Sequence, residues 1–469
     1  MRNKVLSITL AVVFVIGLGL VSCTDVGPIK PEAPATIKIF ASRSLSGPLK
    51  IFEDTAMGPI YKYWRHVVNE VEGGITVPYW DKQIPVEIVV EDDSSDMATM
   101  TTKLETALAT GEYKFVIGPC CTPFLEASGP ICSLYGAVLV GAEGGATALA
   151  QEMNKYPYMF SNLSFANWNQ VAELCRLMSA WAAKETDGKV DVYIMYLNDQ
   201  HGYEYRDQFV AEAAGYTTKI NIIKQVGMEP YTTEIAAQVN EATSMGADVL
   251  CIFAYPPTPM AVVGYSAATG QNFKGIVTGP AACYEAFYDV NATPNPGFGA
   301  LAIGVGGFGA WNEYSSAALG EFAAGMIAYS SRQTMDWWGG AYYYVGLDML
   351  QEAISTATEY TAKAVRDVMA SQKLTTILGE TYYTTYDGTF PIGASGGLLA
   401  IAAHPGEVGQ WQRVTAANSW RPDGVTTGSA RAKPAGIAGS ATEWAIFEVI
   451  SLDHPTAPWL YPKPDWPGS

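Results

Sequence analysis

Val86-Glu87-Ile88-Val89-Val90-Glu91-Asp92-Asp93, the apolar set Met97, Met100, Leu104, Ala107 and Leu108, and Lys114-Phe115-Val116-Ile117-Gly118 form the stretch that decides the fold. A β-branched run of strand length passes into a 3.6-residue period over 97–109 and back into an apolar run. Strand, helix and strand in that rhythm make a βαβ unit, and hence a parallel sheet. Working outward, 36–40 reads as a strand and 52–72 as a helix. A helix ending near Leu134 leads to the strand Val138-Leu139-Val140. The rhythm restarts in the middle. Helices over 169–184, 203–214 and 233–245 alternate with strands over 190–197, 220–226, 248–254 and 275–278. The pattern predicts an α/β protein with two doubly wound parallel-sheet lobes. Residues 311–374 read as mainly helical, followed by short strands at 376–379 and 381–386. Beyond Trp411 no period is evident, and the Pro-rich close over 457–467 reads as an extended strap on the surface.

The chain has 469 residues, 49% of them hydrophobic, so a large core is available and global disorder is excluded. Lys and Arg total 28 against 46 Asp and Glu, a net charge of −18. Nucleic acid and anionic lipid surfaces need clustered cations, so neither is expected as a partner. Only 4 His leave little room for a His-rich metal site, and no cofactor is expected.

The first residues read as an address. Met1-Arg2-Asn3-Lys4 is basic, 5–21 is apolar, and Leu20-Val21-Ser22-Cys23 closes the run. A basic start, an apolar centre and small residues at the exit describe a secretory signal. Leu-Val-Ser-Cys resembles the bacterial lipobox, which implies cleavage before Cys23 and lipidation of it. Residues 1–22 are then a signal peptide and 23–35 a Pro-rich tether. No later stretch is apolar enough for a second span. The other six cysteines match no zinc spacing; most read as buried apolar residues, with a bridge at Cys120 or Cys121 plausible.

Small molecules sit outside the carboxyl ends of strands in open α/β sheets. Attention therefore falls on 42–47, 118–122, 141–147, 198–202, 254–257 and 279–283.

Those strand ends resemble the branched-chain amino-acid class of ABC-transporter substrate-binding proteins, of the type I periplasmic binding protein kind. The likeness covers roughly 36–412. It rests on Leu45-Ser46-Gly47-Pro48, Val89-Val90-Glu91-Asp92-Asp93, Ile117-Gly118-Pro119, Gly145-Ala146-Thr147, Tyr156-Pro157-Tyr158-Met159-Phe160, Asp199 to Gly202, and Thr376-Ile377-Leu378-Gly379 with Tyr386-Asp387-Gly388. The resemblance implies two lobes joined by a three-strand hinge that closes over ligand. Lobe 1 would span 36–161 and 308–377, lobe 2 would span 162–307 and 378–412, and 413–469 would be a C-terminal extension.

It also implies a ligand set. The Gly118–Thr122 loop, with Cys121 and Thr122, would hold a carboxylate on free N–H groups at a helix start. Ser46, Ala146 and Thr147 would add contacts from lobe 1, and His201 and Tyr255 from lobe 2. Thr122 reads equally as an N-cap, His201 as a surface side chain and Tyr255 as a packed wall. Ala281 stands about where amino-acid binders of this class place the acid that pairs the ligand's ammonium. An ammonium buried without a partner is costly, so a ligand without one is expected. Glu285 lies further into the following helix.

Two motifs carry less weight. Gly304-Val305-Gly306-Gly307-Phe308-Gly309 fits a dinucleotide loop but comes late in the chain, and reads as a flexible crossover between lobes. Gly393-Ala394-Ser395-Gly396-Gly397 fits a hydrolase elbow, with His404 or His454 as base and Asp453 as orienter. Trp337 and Trp338 read as buried in lobe 1, with the cleft rim as the alternative. The reading is a monomeric, exported, lipid-anchored solute receptor that captures an amino acid, an amide or urea-like compound, or an organic carboxylate. It would deliver this ligand to an ABC permease without catalysis. An exported serine hydrolase using Ser395 and a sensor for a signalling partner are the alternatives.

Overall fold

The computed structural model describes residues 30–141, 155–162, 166–290, 297–309, 311, 316–330, 336–384, 398–401, 407–414, 444–450 and 459–466. The first run of strands is β1 (Ile37–Arg43), a hairpin of β2 (Ile75–Val77) and β3 (Lys82–Ile84), β4 (Val86–Asp92), β5 (Phe115–Ile117), β6 (Val138–Gly141) and β7 (Met159–Ser161). The second run is β8 (Val190–Leu197), β9 (Ile220–Met228), β10 (Val249–Phe253), β11 (Gly275–Thr278) and β12 (Val305–Gly309). The return carries β13 (Lys373–Thr376), β14 (Gly379–Thr384), β15 (Leu398–Ile401), β16 (Glu407–Val414) and β17 (Trp444–Ile450).

Two sheets hold these strands. One is ordered β13-β14-β15-β7-β6-β5-β1-β4, the other β17-β16-β12-β11-β10-β8-β9. The parallel parts repeat one winding, β4-β1-β5-β6-β7 and β9-β8-β10-β11-β12. The α/β reading with two parallel-sheet lobes therefore holds. Buried Val, Ile, Leu and Phe fill strands such as β5, β6 and β10 on both faces, as parallel strands covered by helices require.

Several expected details change. Strands β14 and β15 pair in the first sheet, not in lobe 2 as expected for 378–412, and the chain joins the second sheet only at Glu407. The helix expected over 52–72 winds from Lys50 to Val71 with wide turns at Glu53–Met57 and Val67–Val71. Pro59 lacks an N–H, which weakens the regular ladder there. The Gly58 N–H instead bonds Glu53 O, five residues back. A Cβ on Gly58 would lie 2.1 Å from that oxygen, so only glycine fits. Met97 is exposed, leaving Met100, Leu104, Ala107 and Leu108 as the buried face of its helix. The six described cysteines are buried and form no disulfide with one another, so the bridge expected at Cys120 or Cys121 is not formed among them.

The Gly-rich 304–309 segment is no flexible crossover but strand β12, and its glycines make room for the chain's end. A Cβ on Gly306 would lie 2.4 Å from the Trp459 ring, and one on Gly304 2.7 Å from Lys463 Cβ. The 459–466 segment is correspondingly inlaid. Trp459, Tyr461, Lys463 and Trp466 are buried. Tyr461 stacks on Trp181 at 4.8 Å and donates to Glu185 at 2.6 Å. The Lys463 N–H bonds Lys274 O at 2.7 Å, and the Trp466 indole bonds Gln271 O at 2.9 Å. Gln410 of β16 exchanges two hydrogen bonds with Leu460. The extended surface strap expected there is instead buried against β12 and β16 of the second sheet. Among the described residues no helix is long and apolar enough to cross a membrane.

Candidate ligand-binding cleft

On the first lobe the site starts from a buried ion pair. Arg43, at the end of β1, donates from Nε to Glu53 at 2.9 Å and from Nη1 to Gly118 O at 2.8 Å. Glu53 also accepts from the Tyr61 hydroxyl at 2.6 Å. The wide turn at Glu53–Met57 brings this carboxylate to Arg43, and Arg43 then fixes the start of the Gly118–Thr122 loop. The loop runs into helix Thr122–Tyr135 through Cys121, held at φ +61° with no side chain capping the first turn. Proline in that turn has no N–H of its own and presets the helical φ, leaving the other backbone N–H groups of the turn as its donors. The result is a positively polarised helix start backed by a guanidinium. Cys121 and Thr122 are both buried there.

On the second lobe, Asp199 caps helix Gln200–Ala213 by accepting from the Gly202 N–H at 2.9 Å. Gly202 packs so close to Leu197 that a Cβ would lie 2.1 Å from its oxygen. This places His201 inward at 2% exposure, 4.8 Å from the rings of both Tyr255 and Tyr205. Burial pushes the imidazole down to about 4, so it is neutral at ordinary pH. Its Nε2 has no hydrogen-bond partner, and neither has the hydroxyl of Tyr255, at 1% exposure. Tyr205 is held differently: its hydroxyl bonds Gln170 at 3.0 Å, and Gln170 bonds Gly309 O at 2.8 Å.

The lobes meet through rings. Phe52 of the first lobe lies edge-on to Tyr255 at 5.8 Å and to Tyr284 at 6.1 Å. Tyr231 stacks on Tyr255 at 5.8 Å. Burial, and after it the neighbouring Cys121, Cys120, Asp199 and Asp93, hold the Tyr231 hydroxyl well above its usual pKa. Trp337 packs across to Trp411 and Phe447 of the second sheet, at 5.9 and 5.8 Å, so it is no purely first-lobe residue.

Of the residues expected from sequence, Cys121, Thr122, His201, Tyr255 and Ala281 are all buried at strand ends around this junction. Ala281 lies in the 279–283 turn, its N–H bonded to Gly279 O. Ser46 does not join them. It is exposed, and its hydroxyl is spent on Asp92 at 2.7 Å, pinning the loop to the end of β4. Ala146, Thr147, Ser395, His404, Asp453, His454 and Cys23 lie outside the described residues. Glu285 is buried at the start of helix Glu285–Tyr288. Phe52, Asp93 and Tyr231 were not anticipated. Asp93 and Tyr231 follow β4 and β9, two strand ends that were not among the candidate segments. Carrying strand β9 to Met228 would have drawn attention to Tyr231. Among the described residues no group of three His, Cys, Asp or Glu is arranged to hold a metal ion.

The periplasmic binding protein family profile matches residues 36–395. The chain belongs to the periplasmic binding protein family. Solved structures agree with this fold at low identity. A solute-binding protein of an ABC transporter from Rhodopseudomonas palustris, in complex with 3,4-dihydroxybenzoic acid, superposes with a TM-score of 0.61 and 13% identity, covering 81% of this chain and 94% of its own. The branched-chain amino acid transporter substrate-binding protein LivJ from Streptococcus pneumoniae, in complex with isoleucine, gives 0.61 and 15%, covering 88% and 99%. An ABC transporter substrate-binding protein from Sphaerobacter thermophilus gives 0.62 and 16%, covering 90% and 99%. No curated protein matches the chain by sequence. The family match ends before β16, so the inlaid 459–466 segment lies beyond it.

Proposed function

We propose that this periplasmic binding protein is an exported, lipid-anchored receptor. It captures one small organic molecule between its lobes and delivers it to an ABC permease. The observation that carries the reading is the pair of unpartnered buried atoms, His201 Nε2 and Tyr255 Oη, beside the first lobe's helix start. A buried polar group without a partner costs about 1–3 kcal/mol, and a ligand that meets both atoms recovers that cost. A carboxylate suits the Gly118–Thr122 loop, and flat or branched apolar bodies suit Phe52, Tyr255 and Tyr284. The ligand class is accordingly an amino acid, an amide or urea-like compound, or an organic carboxylate. The anchor is Cys23, exposed by cleavage after Ser22.

A thermal-shift screen over those classes tests capture: at least one member is expected to raise Tm by several degrees, as mass action requires. A flat response to the whole panel would remove the reading. Intact-mass measurement of membrane-fraction protein tests the anchor. A lipid adduct on the wild type and none on Cys23→Ser is the expected result.

A further inference from the structure

One acid at the cleft is not used by the carboxylate-and-aromatic reading. Asp93 directly follows β4 and is fully buried. Its Oδ1 accepts from Ser44 Oγ at 2.7 Å and from the Ser95 N–H at 2.9 Å. Among the described residues its Oδ2 has no hydrogen-bond partner. The nearby guanidinium of Arg43 directs Nε to Glu53 and Nη1 to Gly118 O. Asp93 from the first lobe and Asp199 from the second both act on the hydroxyl of Tyr231. Tyr231 is held at φ +63°, a costly conformation for a bulky residue that persists where the surroundings dictate it. That backbone lays its ring over Tyr255, with the two planes 25° apart.

We infer that Asp93 receives an ammonium group of the ligand, held between its free carboxylate oxygen and the faces of Tyr231 and Tyr255. The inference rests on the capture reading. A buried carboxylate oxygen without a donor is best met by a charged donor, and aromatic faces attract the same cation. The turn at 279–283 offers Ala281 and no acid, and Asp199 of the second lobe spends Oδ1 on the Gly202 N–H, so among the described residues Asp93 is the acid that offers a buried oxygen without a partner. The expectation of a ligand without an ammonium, drawn from Ala281 alone, is replaced. Both charged ends of the ligand are then taken by the first lobe: the carboxylate at the helix start after Cys121, the ammonium at Asp93. The second lobe supplies neutral partners, His201 and Tyr255, and closes over them.

Calorimetric titration with matched pairs tests this. The pairs are L-leucine with 4-methylpentanoate, L-phenylalanine with 3-phenylpropanoate, and 4-(aminomethyl)benzoate with 4-methylbenzoate. In each pair the probes differ by the ammonium. The wild type is expected to bind the amine of at least one pair about tenfold or more tighter than its partner. Asp93→Asn is expected to bring that pair to within about threefold while leaving the deaminated probe's Kd nearly unchanged. Deaminated probes binding as tightly as their amines, or discrimination that survives Asp93→Asn, would overturn the inference while leaving capture standing. Silence from all six probes and from the wider thermal-shift panel would overturn both. The wild-type comparison needs no variant, so a poorly folding Asp93→Asn does not block the test.

Discussion

The cleft and the inlaid C-terminal segment both bury aromatic side chains against the second sheet, and strand β12 touches both. Gly304, just before it, and its own Gly306 lie under Lys463 and Trp459, while its Phe308 stacks on Tyr205 at 4.8 Å. They differ in how polar atoms are used. In the segment, Tyr461 bonds Glu185, Trp466 bonds Gln271 O, and Lys463 bonds Pro464 O at 2.9 Å while lying 3.6 Å over the Trp466 ring. The Trp459 indole N–H is the exception. In the cleft, His201, Tyr255 and Asp93 each keep an atom without a partner. A region built for stability satisfies its own groups, whereas one built for a guest leaves them for the guest.

The largest way to break this contrast is Gly306→Val. Its Cβ would meet the Trp459 ring at 2.4 Å, and overpacking of this kind costs about 1–3 kcal/mol or more. Calorimetry is expected to show Tm falling by several degrees while any ligand-induced rise in Tm survives. An unchanged Tm would mean that the segment is not held as described.

Next is a matched pair of hydroxyl deletions. Tyr461→Phe breaks a bond to Glu185 and is expected to cost about 1–2 kcal/mol by chemical denaturation. Tyr255→Phe removes an atom with no partner, so the free protein is expected to be as stable as wild type or slightly more so. Equal losses in the two variants would erase the distinction between the regions.

The smallest effects are in pH. Burial lowers both His201, from 6.5 to about 4, and Lys463, from 10.5 to about 8. In each case the unfolded chain binds the proton more readily. Stability therefore rises with pH across each window and falls as the pH drops through it. For His201 the window runs from about 4 to 6.5, and for Lys463 from about 8 to 10.5. His201→Gln is expected to flatten the acid slope of Tm and Lys463→Met the alkaline one. A slope kept by either variant would assign it to another group.

Much of the architecture was legible because strands and helices carry their own periods. The helix over Met97–Ala109 and the strands Val190–Leu197 and Gly275–Thr278 fall where those periods place them. The site was half legible. The strand-end rule reached Cys121, Thr122, His201, Tyr255 and Ala281. It missed Asp93 and Tyr231, because which strand ends face each other depends on how the lobes meet, and no local pattern encodes that. Ser46 misled because a hydroxyl in a loop is equally fit for a ligand or for Asp92. The inlaid tail escaped because its partners, Trp181, Lys274 and Gln410, are far away in sequence. The glycines at 304–309 were its local trace, and they read as a flexible crossover between lobes.

The central claim is that the unpartnered atoms of the cleft await a ligand. It is tested most directly by titrating wild type and a Tyr255→Phe, His201→Phe double variant with the tightest binder found by thermal shift. A defined one-to-one isotherm is expected for wild type, and a loss of affinity of about tenfold or more in the double variant. Unchanged affinity in a variant that folds as well as wild type would contradict it.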